Sequence, residues 1–215
     1  MLSDFYLMKR IVFGIIFLII GCTVEKDRQI VDTRKKMIFF GDSLTAGLGV
    51  MPVEAYPALI QQKINLDKKD FQVINAGVSG DTTTTALERI DWILTGGVDV
   101  FVLELGANDG MKRESPSLIL ENLHKIIQKV REKNKNARIF LVEMRAFPNM
   151  GKKYSKQFNK IYPEITQRDK IIMIPFFLEG IAGVKRLNQK DGIHPTAEGH
   201  VIMANKVYLV LKEYL

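Results

Sequence analysis

The sequence predicts an α/β fold: a three-layer α/β/α sandwich around a five-stranded parallel sheet with flavodoxin-like winding. Two patterns lead there. Short apolar runs alternate with longer amphipathic stretches, and small polar residues fit for chemistry follow directly on the ends of those runs. A parallel sheet is covered by helices on both faces, so its strands read as nearly continuous apolar segments, and ligands gather beyond their C-terminal ends. A length of 215 residues with 47% hydrophobic and 26% charged residues is that of one ordinary globular domain behind a short leader.

The leader comes first. Lys9 and Arg10 precede an apolar run at 11–20, the length of a signal-peptide core and short of the ~20 residues that span a bilayer. Residues 1–21 are therefore predicted to be a signal peptide, with Met8 an alternative start. The run closes on Leu18-Ile19-Ile20-Gly21-Cys22, which resembles the bacterial lipobox with Ile19 where Leu is usual. That resemblance implies lipidation of Cys22 and an exported protein anchored to a membrane on its periplasmic or cell-surface side. A plain secretory signal and an uncleaved anchor are the alternatives. Cys22 is the only cysteine, so no intramolecular disulfide forms and the fold rests on its core. Residues 22–36 are charged and read as a tether, and the folded domain is assigned to 37–215.

The elements of that domain follow in order. Strand one is read at 36–40, a helix at 55–66, strand two at 71–75, a helix at 83–94 and strand three at 98–105. The clearest helix has Ser115 as N-cap and Pro116 at its first position, and it sets Ile119, Leu120, Leu123, Ile126, Ile127 and Val130 on one stripe. Strands four and five are read at 137–144 and 171–175, and a closing helix at 197–211. The apolar stripe is core, not a cofactor site.

The chemistry sits in the turns. Gly41-Asp42-Ser43-Leu44 follows strand one, and Asp191-Gly192-Ile193-His194 lies near the C-terminus. A serine hydroxyl becomes a nucleophile when a base takes its proton and a third group fixes that base, and these segments contain all three residue types. Strand two runs into the small-residue loop 76–82, where Gly80 is a candidate backbone donor to an oxyanion. Strand three ends in Gly106-Ala107-Asn108-Asp109-Gly110, whose Asn108 amide can point at the same place.

These four ordered blocks resemble the SGNH hydrolases, also called GDSL esterases and lipases. The likeness runs over residues 37–215 and is greatest to the branch of bacterial thioesterase I, lysophospholipase L1 and arylesterase. It implies the SGNH hydrolase fold, a Ser43, Asp191, His194 triad, and an oxyanion hole of the Ser43 and Gly80 backbone N–H groups with the Asn108 side chain. It also implies a serine hydrolase of carboxylic esters or thioesters, acting through an acyl-enzyme on an acyl ester or lysolipid-like substrate. A carbohydrate O-deacetylase shares the same blocks, and a non-catalytic surface lipoprotein is a third reading. Met111, Phe147 and Pro148 are placed in the acyl pocket by topology.

Other functional classes find less support. Three histidines and one cysteine show no metal-ligand spacing, so no metal or cofactor is expected. His124 and His200 lie in helices without an adjacent nucleophile motif and read as surface or structural. Asp81 and Asp109 read as loop braces. The formal charge is +7, and residues 1–21 carry Lys9, Arg10 and Asp4, so their removal leaves +6. Because the basic residues interleave with acids, nucleic acid is not an expected partner. Lys112 and Arg113 flank the Asn108 block, either as solvated charges or as contacts for a phosphate-bearing substrate.

Overall fold

Five parallel strands form one sheet in the order β2-β1-β3-β4-β5: β1 (Lys35–Gly41), β2 (Phe71–Gly77), β3 (Val100–Glu104), β4 (Arg138–Val142) and β5 (Ile172–Ile174). The computed structural model describes residues 32–215. The signal peptide, the lipidation site at Cys22 and most of the tether thus lie outside the described residues. Lys35, read with the tether, belongs to β1 and pairs with Phe71, and Lys36, read at the junction of tether and strand one, pairs with Gln72.

The burial of each strand follows its place in the sheet. β1 is central and covered on both faces, so Met37, Ile38, Phe39 and Phe40 are all buried, as expected of a parallel interior strand. β2 lies at an edge and is mostly half-buried. On one side α2 (Tyr56–Leu66) packs with α7 (Ala197–Leu211). In the other layer α3 (Thr83–Ile93) packs with α5 (Pro116–Lys133), and α5 with α6 (Lys152–Asp169). In α5 the Ser115 hydroxyl accepts the Leu118 N–H at 3.3 Å, and Ile119, Leu123, Ile126, Ile127 and Val130 are buried as their spacing predicts.

α6 has no counterpart among the elements read from sequence. Its apolar residues Phe158, Ile161, Tyr162 and Ile165 are buried at helical spacing, but Pro163 stands inside it and argues against a helix, since it lacks an N–H and crowds the preceding turn. Packing overrides propensity here: Phe158, Tyr162 and Ile165 are almost fully inaccessible. Two short helices, α1 (Ser43–Ala46) and α4 (Ala107–Lys112), stand where the sequence suggests plain turns.

The winding positions the site. From β1 the chain moves to β2 on one side and then to β3, β4 and β5 on the other, so β1 and β3 flank the point where the strand order reverses. Open parallel sheets bind ligands in the crevice outside this switch point. Gly41 at the end of β1 is level with Gly77 of β2 and Glu104 of β3, which brings the Ser43, Gly80 and Asn108 blocks to one edge.

Candidate active site

Ser43 opens α1 immediately beyond β1. Asp42 is its N-cap, with Oδ1 accepting the Leu44 N–H at 2.9 Å, and Gly47 closes the turn in the left-handed region at φ 78°. The turn is tight against its neighbours. A Cβ on Gly41 would overlap Thr45 Oγ1 and stand 2.6 Å from the Glu104 carbonyl oxygen, so only glycine fits there.

Across the cleft, Asp191 and His194 lie in the segment between β5 and α7. The Asp191 Oδ1 accepts the N–H groups of Ile193 at 2.9 Å and His194 at 3.0 Å, while Oδ2 lies 2.7 Å from His194 Nδ1. The ring hydrogen bond, with help from the two backbone N–H groups, lowers the Asp191 pKa to about 2. An ionised Asp191 accepts only, so Nδ1 carries the imidazole proton and Nε2 is left with its lone pair. Ser43 Oγ lies 2.8 Å from that Nε2 and donates to it. The loop is held from behind: Gln189 N–H donates to the His194 carbonyl at 2.8 Å, and Asn188 Nδ2 to the carbonyls of Ile181 and Val184.

Asn108 stands in α4, and both amide protons are engaged: Nδ2 donates to the Asp81 carbonyl at 2.9 Å and to Asp42 Oδ2 at 3.2 Å. Gly80, at φ 88° with open space where a Cβ would be, adjoins Asp81 and so joins the cluster through that carbonyl. Its loop is clamped by Arg89, whose Nε donates to Asp81 Oδ2 at 2.6 Å and whose Nη2 donates to the Gly41 carbonyl at 3.2 Å, with the guanidinium 4.1 Å above the Phe40 ring. Asp109 braces α3 by accepting the Thr83 N–H and hydroxyl.

A cleft of about 500 Å³ opens on Ser43, Asn108 and His194. Met111, Phe147 and Pro148 line it, as topology suggests. Met144, Phe176, Leu178 and Ile193 complete its apolar wall.

Comparisons with known proteins supply the family. Residues 39–202 match the GDSL-like Lipase/Acylhydrolase family. The chain belongs to that family. It is 33% identical to Esterase TesA of Pseudomonas aeruginosa, covering 83% of this chain and 89% of the relative, and 36% identical to the Arylesterase of Vibrio mimicus, covering 84% and 90%. Thioesterase 1/protease 1/lysophospholipase L1 of Escherichia coli is 34% identical over 79% of each chain. Among solved structures, the TesA crystal structure superposes with a TM-score of 0.80 at 33% identity, covering 84% of this chain and all of that one. The psychrotrophic esterase EstA from Pseudoalteromonas sp., inhibited by monoethylphosphonate, gives 0.79 at 30% identity over 84% and 98%. The protein is a carboxylic ester hydrolase with the SGNH fold.

Several polar groups of this GDSL-like hydrolase take structural places. His200 is buried in α7, where Nδ1 accepts the Tyr56 N–H at 3.2 Å and the ring stacks on Tyr56; burial lowers its pKa to about 4. His124 has a carboxylate partner that the sequence did not reveal, Asp169 at 2.8 Å, because that residue comes from α6. Arg113 donates to the carbonyls of Met150 and Asn149 and so ties the loop after α4 to the cleft wall. Among groups that sequence reasoning missed, Glu104 stands out: fully buried beneath Asp42, it accepts the Thr45 hydroxyl at 2.8 Å and the Asp42 N–H at 3.3 Å. A lone carboxylate inside an apolar strand was the signal for it.

Proposed function

We propose that Ser43 is the nucleophile of a two-step acyl transfer that hydrolyses carboxylic esters or thioesters with an apolar acyl chain. The hydrogen-bonded chain from Ser43 through His194 to Asp191, opening on an apolar cleft, carries this reading. His194 Nε2 takes the Ser43 proton as Oγ attacks the carbonyl carbon. The tetrahedral oxyanion is met by the Ser43 and Gly80 N–H groups and by the Asn108 amide, which gives up its longer bond to Asp42. Collapse expels the alcohol or thiol with the proton from His194. Water, deprotonated by the same imidazole, then attacks the acyl-enzyme and releases the acid and free Ser43.

An arylesterase, lysophospholipase or acyl-thioesterase specificity fits the wall of Met111, Met144, Phe147 and Phe176, which offers apolar contact along an acyl chain, with Arg145 and Asn188 as the polar side chains of the lining outside the Ser43 cluster. A series of nitrophenyl esters of increasing acyl length tests this. Activity that peaks beyond acetyl supports it, and activity confined to acetyl would make the protein an O-deacetylase. Ser43→Ala should abolish turnover with the thermal unfolding profile retained, and a serine-directed phosphonate should label Ser43 alone. Near wild-type turnover in Ser43→Ala would end the assignment.

The lipidated Cys22 completes the proposal by holding this hydrolase at a membrane surface. Mass spectrometry of the mature N-terminus tests it, with an unmodified Cys22 as the opposing result.

A further inference from the structure

Two carboxyl groups lie beneath the nucleophile turn with almost no access to water: Asp42 is 1% exposed and Glu104 0%. Among the described residues neither has a Lys or Arg ion-pair partner. Glu104 Oε2 accepts two hydrogen bonds, yet Oε1 is buried without any donor. Two adjacent buried carboxylates without a cation would carry a large desolvation and repulsion cost, and a bare acceptor with nothing to accept adds to it. A neutral Glu104 removes the repulsion between the two charges and turns one carboxyl oxygen into an O–H donor, with Asp42, whose own N–H stands 3.3 Å from Glu104 Oε2, as the neighbouring carboxylate.

We propose that Asp42 and Glu104 hold a single proton between them and act as a positioning pair for Ser43 and Asn108. The proposal rests on the reading of Asn108 as an oxyanion donor. Asp42 caps the turn that carries Ser43 and, through Oδ2, also accepts from Asn108 Nδ2 at 3.2 Å. With one proton shared, the pair carries one negative charge, partly spent on Glu104, and Asn108 can turn from Asp42 to the forming oxyanion. Loss of that proton leaves a dianion that grips the amide and repels the oxyanion, so turnover falls on the alkaline side.

The groups that face the pair are consistent with this. Thr45 and Tyr56 form a hydroxyl relay, with Tyr56 Oη 2.9 Å from Thr45 Oγ1 and Thr45 donating to Glu104. Tyr56 and Tyr162 are fully buried and held neutral, and Asp109 lies near enough to oppose ionisation of Asp42. When His194 takes up the Ser43 proton, its charge favours an ionised Asp42. Burial pushes Asp42 up to about 6, and burial together with the charge of Asp42 pushes Glu104 well above the usual carboxylate range.

The experiment compares wild type with Glu104→Gln and Glu104→Ala by the pH profile of kcat on a soluble ester and by infrared difference spectroscopy. Gln keeps a donor toward Asp42 and an acceptor toward Thr45 but has no proton to lose. The alkaline fall of kcat should vanish in E104Q while kcat near neutrality stays within about three-fold, and E104A should lose about ten-fold or more in kcat with KM within about two-fold. Wild type should show the C=O stretch of a neutral carboxylic acid that E104Q lacks. An unchanged alkaline limb in E104Q, or no acid band lost, overturns the proposal. If E104A fails to fold, E104Q decides alone. The infrared band needs no turnover, and phosphonate labelling of Ser43 tests the nucleophile independently, so failure of the pair and failure of the hydrolase assignment give different results.

Discussion

Asp191→Asn tests the proposed place of Asp191 as third member of a triad with Ser43 and His194. In the wild type one carboxylate oxygen, Oδ1, accepts the N–H groups of Ile193 and His194, and the other faces His194 Nδ1 at 2.7 Å. Asn can keep its carbonyl on the two backbone donors, so the turn survives, but its NH2 then opposes Nδ1. Two donors cannot face each other. The ring answers by moving its proton to Nε2, the atom that must take the proton of Ser43 at 2.8 Å. In serine proteases the equivalent change lowers kcat by about 10⁴ through the wrong tautomer. Here the Asp191 side chain is 44% exposed, so water competes for Nδ1 and restores part of the reactive tautomer. A loss of about 10³–10⁴ in kcat, or roughly 4–5 kcal/mol of barrier, is expected. Stopped-flow release of nitrophenol under saturating substrate reads kcat separately from KM, and a phosphonate label reports the acylation step alone. Both should fall together. A loss of less than about ten-fold in kcat would mean that Asp191 does not set the tautomer, and a rise in KM alone would make it a binding residue.

Two further outcomes are expected. Asn108→Ala should lower kcat by about 10²–10³-fold with a small change in KM, as its proposed role as an oxyanion donor requires, and a change confined to KM would place Asn108 in substrate binding. His200 is buried neutral with its pKa down at about 4, so the unfolded chain, titrating near ~6.5, binds the proton more readily. The stability contributed by neutral His200 is therefore full above pH ~6.5 and declines as pH falls toward about 4, by on the order of 3 kcal/mol in all. His200→Gln, which keeps an acceptor for the Tyr56 N–H, should flatten the acid side of a Tm-versus-pH curve between those limits. An acid slope equal to that of wild type would refute this.

How much could be read in advance depended on the range of the interactions involved. The segment 36–40, with four apolar residues in succession, reads as a buried strand, and Ser115-Pro116 announced the start of α5 because capping is decided by neighbours in the chain. The Asp191-to-His194 contact was legible for the same reason: three residues of spacing close an Asx-type turn whose geometry is local. α6 was not, because Pro163 lowers local propensity and only the burial of Phe158, Tyr162 and Ile165 against the rest of the domain outweighs it.

The sequence by itself determined the residue types proposed for the chemistry, the turns that hold them and the alternation that makes the sheet parallel, since each depends on covalent spacing and local hydrogen bonding. Only the tertiary structure decided how those pieces meet. It brought His194 within 2.8 Å of a serine 151 positions away and engaged both amide protons of Asn108. It also set Glu104 against Asp42 in the dry interior, where desolvation governs their proton. These are distances and dielectric surroundings between segments far apart in the chain, fixed when β1, β2 and β3 align in register and the apolar layers close over them.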